Sequence, residues 1–286
     1  MMQTETLYNM AGTLYIVGTP IGNLGDFSPR AVKTLEECDF IAAEDTRVTI
    51  KLLNHFGIKK PMVSYYEHNR NGSGSRIIER LLNGESCALV SDAGMPIISD
   101  PGEDLISLCH EHNINVCAVP GPSAFVTALA LSGMSSGRFT FEGFLTVTKQ
   151  NRKKHLEELV DEKRTMIFYE APHKLPSTLC DMAEYFGDRK IALVKEITKI
   201  HENVERTTLF TARDKYKDAS LKGEYVLIIE GKPEDEEEEI TLEVATEMAL
   251  KLVNSGISKN EASKEIAKKT GLKKSDIYKS LQGDNL

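Results

Sequence analysis

Hydrophobic and polar positions follow a recurring unit along this chain: a short apolar run, a polar or glycine-rich loop, then an amphipathic stretch. Short β-branched runs bounded by turn residues read as strands, and apolar residues returning every three or four positions read as helices. In the first half, strands are predicted at residues 14–17, 39–43, 62–66, 88–90 and 115–119. Helices are predicted between them at 29–37, 46–56, 75–83 and 103–112. Ser28 before Pro29 makes a helix start, and Thr46 is expected to cap the next helix. Strands alternating with helices at this spacing predict a mostly parallel sheet with helices on both faces.

The second half opens with a helix over residues 123–131 and a strand at 139–143, followed by a basic amphipathic segment at 149–160. Further strands are expected at 165–169, 191–194, 205–210 and 225–229, with one helix ending near residue 185. Fewer helices between strands predict a mixed sheet. Residues 232–240 have the composition of a solvated linker, and 241–286 are helical in character. Within that tail a helix from Ser258 through Lys269, a turn at Gly271 and a second helix capped by Ser275 resemble a helix-turn-helix. The fold class is therefore α/β: two α/β domains, 1–120 (mostly parallel sheet) and 121–231 (mixed sheet), the linker, and a small all-helical domain at 241–286.

The strand ends carry the functional signal. Loops 18–26, 44–47, 67–69, 91–102 and 120–124 each follow a predicted strand and share one edge of a parallel sheet, where a ligand cleft is expected. The chain is organised around the loop at 91–102. Gly94 lets backbone approach a ligand without a Cβ in the way, and Pro96 and Pro101 stiffen the turn. A loop of twelve residues exceeds the usual connection, and such loops are commonly functional.

Composition narrows the classes. The 286 residues are 41% hydrophobic, and no apolar run approaches the roughly 20 residues of a spanning helix. Residues 1–12 lack the basic-then-apolar order of a signal peptide, so a cytoplasmic protein without membrane attachment is expected. Five cysteines, an odd number without a C-x-x-C pair, support neither a zinc site nor a disulfide framework, and no metal is expected. A formal net charge of −8 argues against non-specific nucleic-acid binding. That average conceals an acidic run at 234–239 and eight lysines within 251–279. Neither the dinucleotide fingerprint nor the P-loop pattern occurs, and there is no nucleophile elbow.

Several stretches together carry a resemblance: Gly18-Thr-Pro-Ile-Gly-Asn-Leu, Ala43-Glu-Asp-Thr-Arg47, the loop from Ser91 to Gly102, and Pro120-Gly-Pro-Ser-Ala124. They resemble the tetrapyrrole-methylase superfamily. With Phe168-Tyr-Glu-Ala-Pro-His173 and Glu196-Ile-Thr-Lys199, the chain closely resembles the ribosomal RNA small subunit methyltransferase I family. The resemblance implies S-adenosyl-L-methionine in a cleft between two α/β domains of a homodimer. It also implies methylation of the ribose 2′-hydroxyl of a cytidine in the decoding region of 16S RNA, within the small ribosomal subunit. Carried onto matching positions, it implies cofactor contacts at Pro20, Asp92, Gly94, Ile97 and Asp100. Ser123 and Ala124, Tyr169 and Glu170, and Gly223 and Glu224 complete the implied set.

Methyl transfer to a hydroxyl depends on in-line positioning, and a ribose hydroxyl gains from a base. Asp45, His68 and Lys199, in polar loops, are the base candidates; Asp45 is alternatively an ion-pair partner of Arg47. Arg30, Arg47, Lys149, Arg152 and Lys153 are candidate RNA-backbone contacts. Rival readings are C-methylation of a tetrapyrrole precursor, methylation of a protein side chain, and a non-catalytic S-adenosylmethionine sensor binding DNA through residues 257–281.

Overall fold

A computed structural model of the chain describes residues 11–67, 69–146, 148–233 and 241–283. The base candidate His68 and the acidic run at 234–239 lie outside the described residues. The chain divides into two compact units, the first ending at Lys232 and the second starting at Pro233.

In the first half, β1 (Thr13–Val17), α1 (Pro29–Glu37), β2 (Phe40–Ala43), α2 (Thr46–His55) and β3 (Met62–Ser64) alternate. They are followed by α3 (Arg70–Leu82), β4 (Cys87–Val90), α4 (Glu103–Glu111) and β5 (Asn115–Val119). The five strands form one sheet in the order β3-β2-β4-β1-β5, every neighbouring pair parallel. Leu14, Phe40 and Leu89 face one core, and Val17, Ile41, Ala88 and Val90 the other. Two buried faces explain why β2 and β4 read as continuous apolar runs.

The strand order creates a switch point. The connection from β1 leads to β2, beyond β4, whereas the connection from β4 leads to β5, beyond β1. The loops after β1 and β4 thus diverge from adjacent strands, the arrangement that opens a crevice in such sheets. Gly18 and Gly121 end β1 and β5 in contact: a Cβ on Gly121 would come within 2.8 Å of the Gly18 backbone.

The second sheet follows α5 (Ala124–Ser132). Its elements are β6 (Phe139–Phe144), α6 (Lys149–Glu158), β7 (Thr165–Glu170), α7 (Leu175–Phe186), β8 (Lys190–Lys195), β9 (Asn203–Thr208), α8 (Leu209–Tyr216) and β10 (Tyr225–Ile229). The order is β6-β7-β10-β8-β9, with β6 and β7 parallel and the remaining pairs antiparallel, a mixed sheet as expected. Tyr225 at the start of β10 sits opposite Glu170 at the end of β7 and Lys195 at the end of β8. That register brings the 170–174, 196–199 and 222–224 loops to one edge.

Several boundaries differ from expectation. Asp45, not Thr46, caps α2: its side chain accepts from the Arg47 N–H. α3 starts five residues earlier than 75, with Gly74 packed against Tyr65 and Leu108; packing overrides glycine's low helix propensity. Residues 209–210 open α8 rather than ending a strand. Leu209 and Ala212 are buried at helical spacing, and Thr208 caps them.

The second unit is three helices, α9 (Leu242–Asn254), α10 (Lys259–Thr270) and α11 (Lys274–Gln282). Ala245, Ala249, Ala262, Ile266, Ile277 and Leu281 form its own core. Ser258 caps α10, its hydroxyl accepting from the Glu261 N–H and donating to the Glu261 carboxylate, and Gly271 ends the helix in the left-handed conformation. Ser275 does not cap α11; the cap position is Lys273, and Ser275 lies within the first turn. No helix among the described residues is long and apolar enough to cross a membrane.

Leu89 is 2% exposed one residue before the central loop's strand ends. Leu89→Ala should destabilise the first unit by about 2 to 5 kcal/mol, from lost burial plus a residual cavity. A urea midpoint within error of the parent would contradict this packing.

Candidate active site

The loop at 91–102 is fixed from two sides. Thr19 and Gly94 exchange backbone hydrogen bonds, Thr19 N to Gly94 O at 2.8 Å and Gly94 N to Thr19 O at 3.1 Å. The buried Thr19 hydroxyl donates to the Ser91 carbonyl at 3.1 Å. From the other side, the Asp45 N–H donates to Asp92 Oδ1 at 3.1 Å and the Asp92 N–H to Glu44 Oε2 at 3.4 Å. Held this way, the loop carries non-glycine residues in the left-handed region, Ile97 at φ 80° and Ser99 at φ 69°. A β-branched residue there is strained, and such strain gathers at functional sites.

Across from this loop lie the ends of β6, β7 and β10. Gly143 sits at a β-bulge with φ 64° and approaches Ser99. Between the two sheets is a cavity of about 410 Å³. The first sheet contributes Ile21, Glu44 and the central-loop residues Asp92, Gly94, Met95 and Asp100. Ser123 and Ala124 come from the start of α5. The second sheet supplies Phe144, Tyr169, Glu170, Glu224 and Tyr225. Carboxylates thus stand on both walls, three on the first and two on the second, and the aromatic rings come from the second.

The walls are preorganised. The Tyr169 hydroxyl accepts from the Phe125 N–H at 3.2 Å, satisfying an amide in the first turn of α5. Glu170 is 4% exposed; its Oε1 accepts from the Ala171 N–H at 2.9 Å and its Oε2 from the Thr178 hydroxyl. Arg152 donates to that same Thr178 oxygen at 2.9 Å and pairs with Asp181 at 2.5 Å. Arg152 is therefore not a free RNA contact: its side chain is 13% exposed and committed to the shell behind Glu170. Among the other cationic candidates, Lys149 and Lys153 are exposed on α6, and Arg30 donates to the Ala118 carbonyl at 2.7 Å. Arg47 is exposed and paired with Asp45.

Two of the three base candidates, Asp45 and Lys199, are ion-paired in this structure. Arg47 hydrogen bonds hold the Asp45 carboxyl at about 2, which leaves a weak proton acceptor. Lys199 bonds Glu196 at 3.0 Å and Glu224 at 2.9 Å. Burial acts to lower its pKa, but these carboxylates outweigh it and raise the pKa, so the amine stays protonated. Lys199 instead works as a clamp: its methylenes lie against Gly22, and neighbouring Thr198 bonds Asp26, joining the second-sheet loop to the first-sheet loop.

Of the eleven residues implied as cofactor contacts, eight line this cavity: Asp92, Gly94, Asp100, Ser123, Ala124, Tyr169, Glu170 and Glu224. The other three do not line it. Ile97 turns its side chain into the first-sheet core. Gly223, at φ 91°, abuts the Glu196 carboxylate. Pro20 faces a neighbouring cavity of about 350 Å³. Glu44, Ile21, Phe144 and Tyr225 are lining residues that the motif reading missed. A polar Glu directly after a strand was a readable signal for Glu44; the aromatics reach the site only through strand register. No group of three or more His, Cys, Asp or Glu among the described residues has metal-binding geometry.

This fold, with its pocket at the strand ends, defines a class. Residues 13–213 match the family model described as Tetrapyrrole (Corrin/Porphyrin) Methylases. Solved structures with the same fold include a uroporphyrin-III-C-methyltransferase from Thermus thermophilus, at TM-score 0.55 and 17% identity over 77% of this chain and 94% of that one. A diphthine synthase superposes at TM-score 0.57 and 14% identity, covering 77% of this chain and 90% of that chain.

Nearer relatives are similar over almost their whole length. Proteins named "Ribosomal RNA small subunit methyltransferase I" from Halalkalibacterium halodurans and Synechocystis sp. are 46% and 44% identical, over 97% and 93% of this chain and 98% and 96% of theirs. That from Bacillus subtilis is 45% identical over 91% of this chain and 89% of its own. The chain belongs to the ribosomal RNA small subunit methyltransferase I family.

Burial, reinforced by Glu44 and Asp92, raises the Asp100 pKa to about 6. Between the unfolded value near 3.9 and about 6, the folded state holds a proton that the unfolded state has released, so stability falls as pH rises through that window. Asp100→Asn should therefore gain unfolding midpoint over the parent as pH goes from 4 to 7. A difference that stays flat with pH would contradict the burial of this carboxyl.

Proposed function

We propose that this protein transfers a methyl group from S-adenosyl-L-methionine to the ribose 2′-hydroxyl of a cytidine in the decoding region of 16S RNA, in the small ribosomal subunit and hence in the cytoplasm. The observation that carries this reading is the preorganised cavity at the switch point, in a chain whose near-full-length relatives bear an rRNA methyltransferase name.

The residues present fit this cofactor. Acidic groups at Asp92 and Asp100 suit an ammonium and ribose hydroxyls, while Ile21, Phe144, Tyr225 and Val226 suit a flat purine ring. The bound cofactor supplies a methyl on a cationic sulfur, whose transfer to oxygen leaves a neutral thioether and releases the hydroxyl proton. Fixed loops contribute by orienting both partners, and orientation is the main source of rate expected for such a displacement. Asp45 and Lys199 are each engaged in ion pairs. Glu44 lines the same cavity, and burial raises the basicity of its carboxylate, so this reading assigns it as the acceptor of the hydroxyl proton.

A homodimer is the assembly this reading includes. It is supported by an apolar surface on α5, where Val126 is 51% exposed and Leu131 37%, and by Phe139 at 39% on the edge strand β6.

The test is transfer of radiolabelled methyl to small subunits lacking the modification, beside naked 16S RNA and a tetrapyrrole precursor. Label on subunit RNA, resistant to alkali at one cytidine linkage, is the expected result. Label on the tetrapyrrole alone, or on no RNA while the cofactor still binds, would overturn it.

A further inference from the structure

The loop after β1 has two sides. Ile21 faces the 410 Å³ cavity, while Pro20 and Gly22 face the second cavity of about 350 Å³. Asp92 lines both, so the two spaces adjoin at the carboxylate that the Asp45 amide fixes. Two-substrate transfer requires its second substrate beside the first. The second cavity is of the size that holds a small organic ligand.

Its chemistry is specific. The far wall is α2, on which residues four apart share a face. Val48 and Leu52 form an apolar stripe, completed across the gap by Pro20 and Leu24. Val48 and Leu24 remain 37% and 43% exposed, unusual for apolar side chains facing one another across a recess. Beside that stripe, Arg47, Lys51 and His55 follow one another at the same spacing. All three are exposed, and Lys51 and His55 lie on the cavity wall. An apolar slot edged by the Lys51 ammonium, the His55 imidazole and the Arg47 guanidinium that Asp45 orients offers donors to phosphates beside a flat base.

We infer that the cavity between the β1 loop and α2 receives a ribonucleotide of the RNA substrate. Its base lies between Pro20 and Leu24 on one side and Val48 and Leu52 on the other, and its phosphates run along Lys51, His55 and Arg47. This assignment rests on the RNA-methylation reading and gives it a substrate subsite separate from the cofactor cavity. It also gives Pro20 a place beside the RNA rather than the cofactor.

The test uses Lys51→Glu and, separately, Val48→Glu, both exposed positions on the full-length protein. Filter binding to unmodified small subunits, with S-adenosylhomocysteine present, reads the RNA site; calorimetry with S-adenosylmethionine reads the cofactor site and the fold. Each variant should lose about tenfold or more in subunit affinity while cofactor affinity stays within about twofold. Lys51→Glu should also flatten the salt dependence by about one phosphate contact. Unchanged subunit affinity in both variants overturns the inference, as does a matching loss of cofactor affinity in a variant with the parent's thermal midpoint. A wild-type protein that binds no subunit overturns it too. Binding that responds to these variants without methyl transfer would sink the activity reading and leave the subsite standing.

Discussion

The site depends on one small interaction, the two-bond bridge between Thr19 and Gly94. It ties the loop after β1 to the loop after β4, adjacent strands whose connections leave in opposite directions. Without it, the segment at 91–102 would be a long, strained connection with no sheet pairing. With it, Asp92, Met95 and Asp100 are presented on a fixed backbone. Preorganisation of this kind is what a positioning enzyme requires.

The electrostatic arrangement follows from that geometry. Three carboxylates, Glu44, Asp92 and Asp100, gather at the first-sheet wall; burial raises all three, and repulsion from neighbouring carboxylates, Asp45 among them, adds to it. Acidic groups on the opposite side are treated differently. Glu196 and Glu224 share the one Lys199 ammonium, and Glu170 is hydrogen-bonded by Thr178 and a backbone amide. The carboxylates without a cationic partner side chain at the first-sheet wall are where a cationic ligand gains most.

Much of this was legible from the chain. β5 falls at residues 115–119, as its short apolar run between turn residues predicts, and Ser28-Pro29 starts α1 because capping and proline geometry are local. Polar or Gly/Pro-rich loops after five strands indicated the working edge, since a parallel sheet puts those ends together. Three kinds of information were not local. The start of α8 reads as strand because Leu209 and Ala212 are buried by the second sheet's packing, which the local pattern does not reveal. Arg152 reads as a surface cation because nothing in its neighbourhood reveals Thr178 and Asp181, which meet it from α7. Phe144 and Tyr225 reach the cavity only through the β6–β7–β10 register.

The central claim is that the cofactor and the RNA occupy adjoining spaces that share Asp92. Crystallography of the protein soaked with S-adenosylhomocysteine tests it most directly. Density between the central loop and the ends of β7 and β10, with the Pro20–Val48 recess left to solvent, is the predicted result. Density for the nucleoside in the recess between Pro20 and Val48 would contradict the account.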